Sequence, residues 1–219
     1  MEQPKVWSLD EVKSVIFHHE QGQVDLFRNC TAQVDSACPT MIELGAAEGL
    51  YSVLFHEHFG QKPHVNICLE PAPWKIAEIQ KNLPTAKTIT GLVGTPDKND
   101  GDYKDTKRLY DEPVVYSLQQ IMQLHGVQHV DVLHVDIQGA ELEVIQEIQQ
   151  NNILDCIRFM FISTHVLETR QTYADCWSFV QRMPNKRVLY NEDAASAQGY
   201  GFGDGLIVVE NLNYAAKKH

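Results

Sequence analysis

Short apolar runs alternate with amphipathic stretches along most of the chain. Residues 40–44, 64–69, 87–92, 130–135 and 156–162 have the length and apolar content of strands, and the spans between them carry helical patterns. Helices are predicted around 51–55, over 73–83, from Ser117 to about Gly126, over 140–150 and over about 170–183. Pro73 suits a first helical turn, Pro84 falls just past that helix's end, and Ser117 offers N-cap chemistry. Residues 186–190 and 206–210 predict two last strands, and a helix over about 9–20 precedes the sheet. Seven strands with interleaved helices predict a doubly wound α/β domain, its mostly parallel sheet covered by helices on both faces. The polar stretch 94–113 and the glycine-rich stretch 194–205 read as long loops. The expected organisation is an N-terminal helical extension over 1–35 and one globular domain over 36–219.

A chain of 219 residues with 43% hydrophobic content builds a core without disulfide or metal staples. No apolar run approaches the roughly 18 residues of a membrane span. The first residues, Met1 to Trp7, lack the basic start and apolar core of a signal peptide. A cytoplasmic protein without a membrane partner is expected. Twenty-nine acidic residues against 18 basic ones give a net charge of -11, which repels a polyphosphate backbone. Lys104, Lys107 and Arg108 form only a loose basic group among aspartates, so no nucleic-acid partner is expected. The five cysteines contain no C-x-x-C pair, and Cys68 and Cys156 read as buried small hydrophobes.

Ligands of doubly wound sheets bind beyond the carboxyl ends of the strands, near the point where the strand order reverses. Three polar clusters fall at such ends. The first is Glu43-Leu44-Gly45-Ala46-Ala47-Glu48-Gly49, whose glycines allow a tight turn and close approach of a ligand to the backbone. Glu70 ends the next strand, where a carboxylate accepts from both hydroxyls of an adenosine ribose or favours the start of a helix. Glu43 reads either as part of this site or as a solvated carboxylate at a strand end. Glu48 would repel a pyrophosphate but not the sulfonium or amino group of S-adenosylmethionine, which argues against a dinucleotide.

The second cluster is Asp136-Ile137-Gln138-Gly139-Ala140-Glu141. Asp136 can bind a methionine amino group, orient a substrate or hold a metal, and Glu141 suits either a helix start or a metal. The third is Ile162-Ser163-Thr164-His165, whose imidazole can take a proton from a hydroxyl near neutral pH or serve as an ordinary capping residue. His134, alternating with Val135 on its strand, is expected to face a covering helix.

Together these clusters resemble the FkbM-type methyltransferases. Glu43 to Ser52 is similar to that family's nucleotide turn, Leu69-Glu70-Pro71-Ala72-Pro73 to its ribose-binding turn, and Asp136 to Glu141 to its acidic signature. Asn82 and His165 fall where the family carries an Asn and a strand-end His. The resemblance covers about 40–170. It implies a Rossmann-like class I methyltransferase fold, with S-adenosylmethionine held by Glu43, Gly45, Ala47, Gly49, Tyr51, Ser52, Glu70 and Pro71. It also implies methyl transfer to a hydroxyl of a sugar or secondary-metabolite-type small molecule. His165 is expected as the base because its ordinary pKa lies near the working pH, with Asp136 beside it. Three alternatives stay open. They are N-methylation of a small molecule, a non-catalytic cofactor-fold binding module, and a variant in which Asp136, Glu141 and His165 hold Mg²⁺.

Overall fold

Five parallel strands form the centre of the molecule: β1 (Thr40–Leu44), β2 (Val65–Glu70), β3 (Lys87–Thr90), β6 (Val130–Val135) and β7 (Ile157–Thr164). In this computed structural model the described residues are 21–94, 114–165, 172–193 and 205–214, with Asp10 and Ser14. Two further strands, β8 (Lys186–Glu192) and β9 (Gly205–Asn211), complete a sheet of order β3-β2-β1-β6-β7-β9-β8. β9 runs antiparallel to both of its neighbours, so the seven-stranded sheet is mostly parallel. The strand order reverses between β1 and β6, and that crevice is where a doubly wound sheet binds its ligand.

Every residue of β1 and β6 is buried, as strands covered on both faces require. Side-chain alternation sends Ile42, Leu44, Leu133, Val135, Met160 and Ile162 to one face. There they meet α4 (Leu118–Leu124), α5 (Glu141–Gln150) and α6 (Tyr173–Arg182). Met41, Val132, Phe159 and Phe161 go to the other face, under α1 (Gln21–Thr31) and α2 (Leu50–Phe59). α3 (Pro73–Asn82) packs on that side through Ile76 and Ile79. Ser117 caps α4 in a capping box with Gln120, and Glu147 of α5 accepts from the N–H groups of Leu118 and Gln119.

The fold differs from the sequence expectation in three places. α1 was not expected, and its Val24, Phe27 and Cys30 belong to the domain core with Tyr51 and Phe55. The helix expected over 9–20 lies outside the described residues, apart from Asp10 and Ser14, which are helical. The third strand stops at Thr90, because Gly91 crosses tightly against Tyr116 and the Val114 carbonyl. The chain then forms a separate parallel pair, β4 (Leu92–Val93) with β5 (Val115–Tyr116). The expected loops over 94–113 and 194–205 lie outside the described residues beyond Gly94 and before Gly205. Cys156, expected to be buried, sits half-buried in a 3₁₀ turn before β7, whereas Cys68 is fully buried.

Candidate functional site

The turn after β1 is fastened to the strand beside it. The N–H groups of Gly45 and Ala46 both donate to the Leu69 carbonyl, at 2.9 and 3.0 Å. Gly45 has φ 75°, and a Cβ there would lie 1.7 Å from the Asp136 carbonyl oxygen, so the end of β6 presses directly on the turn. Asp136 in turn donates its N–H to the Leu44 carbonyl at 2.9 Å. Ala47 (φ 45°) and Gln138 (φ 55°) are left-handed without being glycine, one on each loop of this switch point. Backbone of this kind is held only where its surroundings over-determine it.

Glu70 joins the turns after β1 and β2. Its Oε2 accepts from the Ala47 N–H at 2.9 Å and its Oε1 from the Ala72 N–H at 3.0 Å, at the N-cap of α3. Pro71 follows, half-buried.

Glu43, Tyr51 and Ser52 lie beneath the turn and are buried. Glu43 is 2% exposed, and its Oε2 accepts the Ser52 N–H at 3.0 Å. It thereby satisfies a first-turn donor of α2 that the N-cap, Gly49, has no side chain to reach. Burial pushes the Glu43 carboxyl up to about 8 against the opposing pull of the Ser52 hydrogen bonds. The Tyr51 ring stacks on His134 at 4.2 Å and meets Phe27 at 5.1 Å. His134 thus faces a covering helix, and burial lowers its pKa to about 4.

The other side of the crevice is a row of three ionisable groups. His165 ends up 3% exposed between Asp136, whose Oδ1 is 3.2 Å from Nε2, and Glu141, whose Oε1 is 2.9 Å from Nδ1. Glu141 is fully buried, and its carboxylate also accepts from the N–H groups of Gly139 and Ile137. The Asp136 side chain, 37% exposed, is the member of the row that reaches solvent. Burial alone would lower the pKa of His165, but the two flanking carboxylates raise it to about 11. Burial likewise opposes ionisation of Asp136, yet the imidazole holds it below the usual carboxylate range, helped by the Ser163 hydroxyl. The sequence places Ser163 in the same cluster but assigns it no role, which only the packed site supplies.

With this geometry in view, the comparisons with known proteins are informative. The methyltransferase FkbM domain matches residues 43–187, well over half of the chain. The chain belongs to the FkbM methyltransferase family. No curated protein matches it significantly. Among solved structures, the precorrin-6y C5,15-methyltransferase of Geobacter metallireducens is similar with a TM-score of 0.50 at 10% identity. That likeness covers 96% of this chain and 92% of the other. The METTL16 methyltransferase domain is similar with a TM-score of 0.52 at 10% identity, over 88% of this chain and 67% of the other. These likenesses show the fold, the Rossmann-like class I methyltransferase fold.

His165 was expected as the base on the strength of its ordinary pKa. The two carboxylates beside it favour its charged form, in which the ring has no lone pair to offer a hydroxyl. Among the described residues no group of three or more His, Cys, Asp or Glu side chains is arranged to hold a metal. No helix among them is long and apolar enough to cross a membrane.

Proposed function

We propose that this methyltransferase methylates a hydroxyl oxygen of a sugar or secondary-metabolite-type small molecule, with Asp136 receiving the hydroxyl proton. The observation that carries the reading is a partly exposed carboxylate at the switch point, 3.2 Å from a buried imidazole and beside the glycine turn. The turn fits the cofactor. Gly45 and Gly49 give the turn its positive φ, and the Glu70 carboxylate stands beside it at the end of β2, where a ribose would lie. In this reading Gly45, Ala47, Gly49, Glu70 and Pro71 line the cofactor, while Glu43, Tyr51 and Ser52 hold the turn from below.

Bound there, S-adenosylmethionine supplies an electrophilic methyl group to the acceptor oxygen, the electrons of the broken C–S bond staying on sulfur. The protein's tasks are alignment and acceptance of one proton. A hydroxyl becomes far more acidic as its oxygen forms the new bond. A carboxylate held below its usual range is therefore basic enough to receive that proton. The net charge of -11 supports an acceptor without a polyphosphate backbone.

The test is a screen of glycosides, cyclic polyols and phenols with methyl-labelled donor, followed by Asp136→Asn. Losing a positioned base is expected to lower kcat by roughly 10²–10⁴-fold. Affinity for S-adenosylhomocysteine by calorimetry should stay within a few-fold. Undiminished turnover in Asp136→Asn, or methylation of RNA alone, would overturn the proposal.

A further inference from the structure

We infer that His165 is a positioning residue, an imidazolium anchored from behind by Glu141 that fixes the Asp136 carboxylate in one ionised orientation at the mouth of the site. The inference rests on the reading of Asp136 as the proton acceptor. Its support is geometric. Both ring nitrogens of His165 lie at ion-pair distance from carboxylates, at 3.2 and 2.9 Å, and the side chain is 3% exposed. An acceptor hydroxyl therefore reaches Asp136 and not the imidazole.

Two members of the row are fixed by backbone. Glu141 is tied to the N–H groups of Gly139 and Ile137 within its own loop, where Gln138 and Gly139 take positive φ. The main chain of His165 is held by a reciprocal pair. Its N–H donates to the Thr172 hydroxyl at 2.9 Å, and its carbonyl accepts the Thr172 N–H at 3.1 Å. The imidazolium thus hangs from β7 and α6, its anchor from α5, and the carboxylate it holds from the end of β6. A small shift of any one element would loosen the carboxylate, and misplacement on the ångström scale costs rate steeply.

The charges explain why a histidine serves here. A buried cation without partners would be neutralised, and two adjacent carboxylates without a cation would share a proton. The sequence of minus, plus, minus leaves one net negative charge, on the exposed member. That charge suits a site where positive charge is dispersed during transfer. The other ionisable groups around the row are Glu43 from β1, His134 from β6 and Cys176 from α6. Glu43 and His134 are uncharged at neutral pH, and burial raises the Cys176 thiol well above its ordinary value, so none competes for the proton of His165.

The experiment is nitrogen-15 and carbon-13 NMR of the full chain saturated with S-adenosylhomocysteine. Both ring nitrogens of His165 are expected to stay protonated from pH 6 to 9, and the Asp136 carboxyl to titrate at least one pH unit higher in His165→Gln. A His165 that titrates near its ordinary value overturns the inference, as does an Asp136 carboxyl indifferent to the substitution. Turnover of a hydroxyl compound found in the screen above gives a second readout. His165→Ala should lose at least tenfold in kcat with KM nearly unchanged, and added imidazole should restore it better at pH 6 than at pH 8. Rescue that grows with pH identifies a neutral base and refutes positioning. Full activity of His165→Ala with an inactive Asp136→Asn refutes this inference alone, whereas full activity of Asp136→Asn removes the reading beneath it.

Discussion

At neutral pH Glu43 holds a proton and His165 a positive charge, the reverse of what each side chain favours in water. The causes differ. Glu43 has lost solvent and gained only hydrogen bonds from Ser52, too little to keep it ionised. His165 has lost solvent as well, but two carboxylates compensate. Glutamine at position 43 should therefore be a near-isosteric replacement near pH 4.5 and below, where Glu43 is largely protonated in folded and unfolded chains, changing stability by less than about 1 kcal/mol. As pH rises from there to about 8 only the unfolded chain ionises at this position, so Glu43→Gln is expected to become the more stable protein. Urea denaturation near pH 4.5 and at pH 9 checks both halves, and equal stability of the two proteins at pH 9 would refute the assignment of the proton to Glu43.

Among the elements, the turn after β1 is under the tightest steric control. Gly45 touches the backbone at the end of β6, and Gly49 starts α2 with φ 78° and a prospective Cβ 3.0 Å from Ile79. A methyl group at 45 must displace the Asp136 carbonyl, and with it the carboxylate beside that carbonyl. Gly45→Ala is expected to cost at least about 1–2 kcal/mol from the left-handed backbone alone. For a chain of this size that lowers Tm by at least a few degrees. Affinity for S-adenosylhomocysteine should fall by more than tenfold, measurable by calorimetry on the folded variant at low temperature. A variant that binds as tightly as the wild type would show that the turn does not carry the cofactor.

For the molecule as a whole, the perturbed groups confine stability to a band of pH. His134 has its folded pKa lowered to about 4, so stability falls as pH drops from about 6.5 and the unfolded chain alone takes up that proton. Asp136, also lowered, adds a loss as pH falls through its folded value. On the alkaline side, Glu43 is raised to about 8 and His165 to about 11. Both contributions are full below the unfolded values and are lost as pH rises through the folded ones. Each group adds a slope of about 1.4 kcal/mol per pH unit while only one state titrates. A Tm profile that peaks between about pH 5 and 7 and declines on both sides is expected. Differential scanning calorimetry across pH 4–10 tests it, and a flat profile from pH 7 to 10 would contradict the alkaline terms.

The chain's alternation of apolar and polar positions determined the class of fold, because a parallel strand buried on both faces leaves a continuous apolar run that few other structures produce. Strands were legible within a few residues, and so were the three polar clusters, since each immediately follows a strand in the chain. α1 was not legible, because its apolar positions Val24, Phe27 and Cys30 are sparse and acquire meaning only against Tyr51 and Phe161. The split of β3 from β4 was hidden in Gly91, whose constraint comes from Tyr116, a residue distant in sequence. The roles within the site were decided by tertiary structure alone. Whether a carboxylate or an imidazole carries a charge depends on its distance from other charges and from water. Residues 136, 141 and 165 come from three different elements. Their order in the chain places Asp136 and His165 at strand ends, but only the packed sheet puts Glu141 behind the imidazole and leaves Asp136 facing out.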